Sequence, residues 1–515
     1  MGSTKKKMTS TNRRLRDRSR LSFFFVIFFF GLFSVIIIME NFMPDTDKNS
    51  LKDDNEDGEE PYTNSDISYE ETLDQEGLLP SGNTDPKAKG SKNSSNNGHT
   101  ASTQKPRIIP IQPDWQPVTG TKEKFYVYSA YYNHLFDHVK IIGATRTKTQ
   151  QRVKCRFYDN DTRVYHTVDG TVRTIRENWN LKYSACFIIC YSGDKKRRPR
   201  YVSILPSTAS TTTPASNILR IQYASEKSDR LVDFSVCVKP IHFNYDNLLP
   251  LLEWIEFHRL MGVEHFTFYN STIGPKVSCL IEHYGEEIIE ILPWTLPFVS
   301  QKEIRTEGLF VALNDCVYRH RGASKYLILV DFDEMIVPRK THNYTQLIDQ
   351  LDTLSNKKKI GAYSIQNAFF YLQWPDDQKG FTIPGNPLAE QVTKHLLSLR
   401  KTRRRARLHP HKQRSKYICD PEKVVEAGNH FVWEMATGYY TLSVPPHLAA
   451  LHHYRVCEFG GDQCTKNPSV IDKSSHIFAQ ALAIRVAEKL QQLSTKCHID
   501  ISQLFYSKPS SRSVV

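Results

Sequence analysis

Tyr326-Leu327-Ile328-Leu329-Val330, followed at once by Asp331-Phe332-Asp333-Glu334, is an uninterrupted apolar run that ends in carboxylates. A run of this length and type reads as a central strand covered on both faces, as in the parallel sheets of α/β proteins. Carboxylates at its C-terminal end emerge at the sheet edge where α/β folds bind their ligands. Two carboxylates spaced i, i+2 on extended backbone point the same way and can share one hard cation. Mg²⁺ or Mn²⁺ prefers oxygen ligands and bridges readily to phosphate oxygens. The metal then neutralises charge developing on a departing diphosphate. A solvated turn is the competing reading of an isolated Asp-x-Asp; the buried strand before it favours the metal.

The flanking sequence has the rhythm of βαβ units. Val236–Lys239 is a short strand running into a loop. Leu248, Leu251, Leu252 and Ile255 follow i, i+3, i+4, i+7 spacing, with Pro250 in the first turn and Gly262 as a stop. His265–Tyr269 and Ile288–Leu292 are further strands, and a helix is predicted over Glu303–Arg319. Ile477, Ala481, Ile484, Leu490 and Leu493 mark a C-terminal amphipathic helix. Upstream, Phe125 to Arg230 has the character of a β module. Apolar and β-branched runs recur at Phe125–Tyr128, Val139–Ile142, Val153–Tyr158, Cys186–Tyr191, Tyr201–Leu205 and Ile218–Tyr223, separated by turn residues. A small β-sandwich is expected there, serving as a packing platform or binding glycan.

A second chemical cluster is His452-His453-Tyr454-Arg455. Either one imidazole completes a metal shell and Arg455 meets phosphate with its fork of donors, or one histidine is simply buried and the other exposed. His430 is a weaker candidate of the same kind. The basic run Arg400 to Arg407 reads as a solvated loop, with an acceptor or lipid contact as the alternative; Lys416, which follows it, is placed to face a phosphate. Trp294, Trp374 and Trp433 either stack on sugar rings or belong to the core. No Gly-x-Ser-x-Gly elbow, His-Glu-x-x-His helix or P-loop occurs. A glycosidase needs two carboxylates flanking its bond, and Glu303, Asp376, Asp377 and Glu434 stay open for such a role.

The chain has 515 residues, 39% of them hydrophobic, and a formal charge of +13. That excess sits largely in the first twenty residues and in the Arg400 to Lys416 run, while Asp45 to Glu76 is acidic. Charge segregated in this way does not describe a nucleic-acid binder. Lys5 to Arg20 is basic and precedes an uncharged stretch from Leu21 to Met39, which at the helical rise spans roughly 28 Å. A signal-anchor with the basic flank in the cytosol is expected; a cleaved signal peptide is the rival, but no small-x-small site follows. All 10 cysteines lie between Cys155 and Cys497, as suits an oxidising compartment. Asn93, Asn160, Asn270 and Asn343 head glycosylation triplets.

Together these motifs resemble glycosyltransferase family 92 across roughly Val236 to Tyr454. The likeness is carried by Val236-Cys237-Val238-Lys239-Pro240, by Leu252-Glu253-Trp254-Ile255-Glu256-Phe257-His258 with Gly262-Val263-Glu264-His265, and by Asn314-Asp315-Cys316. Asp331-Phe332-Asp333-Glu334 and Leu451-His452-His453-Tyr454-Arg455 complete it. Phe332 stands where the family usually has Ile. The resemblance implies a GT-A, Rossmann-like nucleotide-diphosphosugar transferase fold, an inverting mechanism and a Mn²⁺-dependent UDP-galactose donor. It also implies β1,4 galactosyl transfer, in animal members to the core fucose of N-glycans. On this reading Asp331, Asp333 and His453 hold the metal, and Lys239, Asp315, Asp331, Lys416 and Arg455 bind the nucleotide. Asp376 and Glu434 are the candidates for the general base.

The expected organisation is a cytosolic tail (1–20), a transmembrane signal-anchor (21–39), a disordered lumenal stalk (40–120), a β-rich accessory module (121–230) and an α/β catalytic domain (231–515). A Golgi type II galactosyltransferase is the first reading. A different UDP-sugar or acceptor, or a catalytically silent glycan-binding protein, are the alternatives. Its partners would be a nucleotide-sugar donor, a glycan or glycoprotein acceptor and the Golgi membrane, with no nucleic acid.

Overall fold

The computed structural model describes residues 114–506 apart from 134–135, 149–150, 160–163, 194–197, 225–231, 356–358 and 458–461. The basic tail, the Leu21–Met39 stretch and the stalk up to residue 113 lie outside the described residues. Among those described, no helix is long and apolar enough to cross a membrane. All of them fall in one compact unit, Tyr69–Val515.

The first part of the described chain is all β: β1 (Tyr126–Asn133), β2 (His138–Arg146), β3 (Val153–Tyr158), β4 (Val164–Thr174), β5 (Tyr183–Tyr191), β6 (Tyr201–Pro206) and β7 (Leu219–Gln222). They pair in the order β1-β2-β5-β4-β3-β6-β7, and β7 returns to β1 through Ala130↔Ile221. The expected sandwich is therefore a closed barrel, which leaves no open sheet edge between these strands. β2 and β5 alternate between two faces, whereas β1 breaks step at a bulge between Val127 and Ser129. Val139, Ile141, Cys186, Ile188 and Cys190 fill the interior, while Ile142, Ala144, Tyr183, Ala185 and Phe187 point outward into a second core. The strand missing from the sequence reading is β4, whose Val-Tyr-His-Thr-Val-Asp-Gly-Thr carries too little apolar material to signal itself.

That second core is shared with an α/β layer. Its parts are β8 (Val232–Cys237), α1 (Leu248–Leu260), β9 (Val263–Asn270), α2 (Pro275–Tyr284), β10 (Ile289–Pro293), α3 (Leu309–His320), β11 (Ser324–Leu329) and β12 (Glu334–Pro338). After them come α4 (Tyr344–Leu354), β13 (Ile360–Ile365), β14 (Asn367–Tyr371), β15 (Lys416–Cys419), β16 (Val424–Ala427), β17 (Val432–Met435), β18 (Tyr440–Ser443), β19 (Ala449–Arg455) and α5 (Ala479–Lys496). The main sheet runs β10-β9-β8-β11-β15-β13-β18, with β15 alone antiparallel to its neighbours. A small sheet, β12-β19-β14, stands beside it. Ile328 and Val330 face a core built from α1, α2, α4 and α5, whereas Leu327 and Leu329 face α3 and the barrel. The apolar run is thus covered on both sides, which is why it lacks alternation.

Two helices begin later than expected. The Glu303–Arg319 segment becomes helical only at Leu309, because Gln301, Thr306, Glu307 and Gly308 take positive φ in the loop before it. In α5 the buried stripe is Leu482, Ala483, Val486, Ala487, Leu490 and Leu493, while Ile477 is exposed. The basic run is not a solvated loop. Arg403–Arg405 pairs with Ser469–Ile471, Lys401 is buried against the carbonyls of Leu372 and Trp374, and Arg404 Nε donates to Asp472 at 2.7 Å. Four disulfides form, Cys155–Cys190, Cys237–Cys316, Cys279–Cys497 and Cys457–Cys464, with Cys186 and Cys419 buried as free thiols.

Candidate active site

The strand order reverses at β8 and β11: β9 and β10 lie to one side of β8, and the chain returns to place β11 on the other. Ligand crevices of open α/β sheets form outside the carboxyl ends of strands at such a point. Here the loop opened by Val238-Lys239 and the turn Asp331-Phe332-Asp333-Glu334 stand at those carboxyl ends, with Lys239 Nζ 3.9 Å from Asp331 Oδ1. The carboxylates are not on extended backbone as expected. β11 stops at Leu329, and Glu334 N–H donates to the Asp331 carbonyl at 3.1 Å, closing a tight turn into β12. Phe332 anchors the turn from below, packed among Tyr245, Trp254 and Phe268 with ring centroids 5.1–5.4 Å away. Trp254 Nε1 holds the Glu334 carbonyl at 2.9 Å, which explains the tryptophan in the Leu-Glu-Trp segment of α1.

Strand register delivers the histidine. β12 and β19 are antiparallel with Glu334 opposite His453, and the Tyr454 N–H donates to the Asp333 carbonyl at 2.8 Å. His453 Nε2 then lies 3.1 Å from Asp333 Oδ2, and its Nδ1 lies 3.3 Å from Glu334 Oε1. Asn367 Nδ2 also lies 3.0 Å from His453 Nδ1, so that side of the ring is held between an amide and the Glu334 carboxylate while Nε2 faces Asp333. His452, its neighbour, is buried and points away, to Tyr454 OH and Ser474. Two lysines close the cluster: Lys416 Nζ is 3.1 Å from Asp331 Oδ2 and Lys239 Nζ is 3.9 Å from Asp331 Oδ1. Burial would push the Asp331 carboxyl up, but Lys239 and Lys416 more than reverse this and hold it well below the usual range. Asp333 is lowered likewise, its burial outweighed by His453. Glu334, buried deepest, is raised because desolvation wins over Lys416.

Two carboxylates and an imidazole make an oxygen–nitrogen donor set suited to Mn²⁺ or Mg²⁺. Among the described residues, the potential ligand atoms of Cys237, Cys316 and His320 are gathered more tightly, within 4.8 Å of one another, but those cysteines form a disulfide and are spent as ligands.

The other residues expected at the site have partners of their own. Asp315 is fully buried under the barrel, accepting from Ser129, Tyr131 (2.6 Å), Tyr269 (2.7 Å) and Arg319 (3.2 Å), so no nucleotide reaches it. Asp376 is clamped by Arg400 (2.7 Å) and Lys401 (2.5 Å), which overcome its partial burial and hold its pKa low, a poor setting for a base. Glu434 joins Arg173 (2.9 Å) and Arg176 (2.6 Å) of the barrel segment. Arg455 lies one ring from the histidine: its guanidinium is 5.2 Å over Phe369, whose ring is 5.1 Å from that of His453. Trp294 and Trp374 are core residues, and Trp433 Nε1 donates to Glu177 at 2.9 Å. His430 packs against Ser415 and Asn429.

Sequence reasoning missed Asn429 and Glu177. Asn429 Oδ1 accepts from Lys416 Nζ at 2.8 Å, and the Asn429 N–H donates to Glu177 Oε2 at 3.0 Å. A line of contacts thus runs from the barrel segment through Glu177, Asn429 and Lys416 to Asp331. Gly428 permits it, since a Cβ there would run into both the Glu177 carboxylate and the Trp433 indole. The Gly-Asn-His triplet at 428–430 was the available signal, read for its histidine alone.

A carboxylate turn at the carboxyl edge of an α/β sheet, flanked by lysines and a presented imidazole, is equipped to handle a metal-bound, phosphate-bearing ligand, as glycosyltransferases do. The sequence model of glycosyltransferase family 92 matches residues 232–498, and the chain belongs to that family. It is similar to the β-1,4-galactosyltransferase galt-1 of Caenorhabditis elegans, 22% identical over 315 residues that cover 60% of this chain and 68% of that protein. It is also similar to the galactan β-1,4-galactosyltransferase GALS3 of Arabidopsis thaliana, 25% identical over 168 residues, 30% of this chain and 31% of that one. Among solved structures, glucosyl-3-phosphoglycerate synthase from Mycobacterium tuberculosis in complex with Mn²⁺, UDP and phosphoglyceric acid is 13% identical, over 53% of this chain and 80% of that one. Its TM-score of 0.21 is too low to bear on the fold.

Proposed function

We propose that the protein is an inverting, metal-dependent glycosyltransferase of GT-A type. It moves galactose from UDP-galactose to a glycan acceptor, β1,4-linked to the core fucose of N-glycans. The observation that carries this is the turn Asp331-Phe332-Asp333 directly after β11, with His453 Nε2 3.1 Å from Asp333 Oδ2. Family membership supports sugar transfer, and the names of galt-1 and GALS3 support galactose and the β1,4 linkage. Asp331, Asp333 and His453 would hold Mn²⁺, which when bound neutralises charge on the departing diphosphate. Lys239, partly exposed beside Asp331, adds a fixed positive charge at the same turn. Arg455 lies next along β19 on the same side, positioned for a second contact to the donor. Glu334 keeps the His453 ring oriented and the turn closed through the Asp331 N–H, at 2.9 Å. The acceptor hydroxyl needs a base, which neither Asp376 nor Glu434 supplies, because their cationic partners hold them.

A Golgi lumenal setting with one N-terminal anchor completes the reading, supported by the Leu21–Met39 run and by the disulfides, which need an oxidising compartment. The test is incubation of the protein with each common UDP-sugar and with fucosylated and afucosylated N-glycans, followed by mass spectrometry. One added hexose from UDP-galactose alone, on fucosylated acceptor only, is expected. Transfer from another donor would replace galactose in this reading. UDP binding without turnover on any acceptor would point to a silent glycan binder.

A further inference from the structure

We infer that Lys416 is a built-in counter-ion of the carboxylate turn, which sets how weakly the free protein holds a divalent cation and so couples cation binding to nucleotide binding. This rests on the metal reading above. An ammonium has three N–H donors. Those of Lys416 face three acceptors: Asp331 Oδ2 at 3.1 Å, Glu334 Oε2 at 3.4 Å and Asn429 Oδ1 at 2.8 Å. The side chain is only 3% exposed, so it presents no face to a phosphate, contrary to what its position in the sequence suggests. Asn429 is in turn held by Glu177, which keeps the lysine aimed at the turn.

The charges then follow. Asp331, Asp333 and Glu334 bring three negative charges, and Lys239 and Lys416 offset two of them. A divalent cation entering this cluster turns a net charge of one negative into one positive. In a site this buried, that excess is unfavourable until a diphosphate balances it. Cation and nucleoside diphosphate therefore reinforce each other's binding, and by linkage the reinforcement is equal in both directions. Lysine at 416 is what makes the cation depend on the nucleotide. Without it the carboxylates would hold the metal tightly on their own.

The experiment is Mn²⁺ titration of the detergent-solubilised full chain, read by the EPR signal of free Mn²⁺, with and without UDP. Wild type is expected to bind Mn²⁺ weakly alone and at least about tenfold more tightly with UDP. Lys416→Met should bind Mn²⁺ alone about tenfold more tightly than wild type, with the UDP effect reduced. A merely structural lesion would weaken metal binding instead. Because the methionine leaves Glu334 without its cation and can impair folding, Asn429→Asp provides a second variant. Its added carboxylate neutralises the ammonium in place and should also tighten Mn²⁺ binding. Mn²⁺ affinity that is unchanged or weaker in both Lys416→Met and Asn429→Asp would overturn the inference alone. No Mn²⁺ binding by wild type, even with UDP, would overturn the metal reading and this inference with it.

Discussion

Glu334 differs from the two aspartates before it. Its side chain is 2% exposed, it faces no open crevice, and it serves three neighbours: the Asp331 N–H, Lys416 and His453 Nδ1. Glu334→Gln keeps the shape but removes the negative charge beside His453 Nδ1 and Lys416. Losing the hydrogen-bond partner of a metal-bound histidine weakens metal affinity by about 10–100-fold. The expected outcome is therefore a rise of that order in the Mn²⁺ concentration giving half-maximal activity, with a smaller change in the rate at saturating metal. An unchanged metal requirement would show that the glutamate merely packs. Asp331 and Asp333 draw notice in the sequence because a buried strand ends in them, whereas His453 stands out from His452 only through the family resemblance. Asp315, Asp376 and Glu434 were of equal chemical type, and nothing in their own segments reveals their partners. The arginine that holds Glu434 at 2.9 Å lies 261 positions away.

At the scale of elements, the barrel is fastened to the α/β layer by both apolar and polar contacts. Phe187, Tyr183 and Tyr131 of the barrel pack into the same core as Val311, Leu313 and Val317 of α3. Glu177, Glu426 and Glu434 cross between the barrel segment and the β16–β17 hairpin. Glu177→Ala would strip the acceptor from two donors, the Asn429 N–H and Trp433 Nε1. Half-buried donors left without an acceptor fall at the low end of the range of about 1–3 kcal/mol each. Urea denaturation should show a loss of about 2 kcal/mol, together with a changed metal requirement transmitted through Asn429 and Lys416. Stability lost without that change would mean the line from barrel to Asp331 is structural only. The β character of this region was readable from its recurring apolar runs. Closure into a barrel was not, because it depends on the single β7–β1 pairing, Ala130↔Ile221 and Tyr131↔Gln222, between segments far apart in the chain.

For the whole molecule, buried histidines tie stability to pH. Burial pushes His258 down to about 4, opposed only by its bond to the Trp254 carbonyl. His138 is likewise pushed down to about 4, by burial first and then by Lys140 and Arg321. In the unfolded chain both titrate near 6.5. The unfolded state thus takes up protons first as pH falls, so this stability is complete above about pH 6.5 and is lost progressively toward pH 4. Each histidine contributes at most about 1.4 kcal/mol per pH unit within that window. Melting temperature should be flat from pH 8 to 7 and fall between pH 6.5 and 4.5. His258→Phe, which keeps the ring in its apolar setting, should flatten part of that slope; an unaltered slope would remove His258 from the account.

The proposed reaction at this turn is tested by UDP release from UDP-galactose in the presence of fucosylated N-glycan, with Mn²⁺ or with EDTA. Wild type, Asp333→Asn, Asp376→Asn and Glu434→Gln are compared. Release by wild type is expected only with metal, with a loss of about 10²-fold or more in Asp333→Asn. Substantial activity is expected in Asp376→Asn and Glu434→Gln, whose carboxylates are engaged elsewhere. Release that persists in EDTA or in Asp333→Asn would contradict the assignment of the metal and the reaction to this turn.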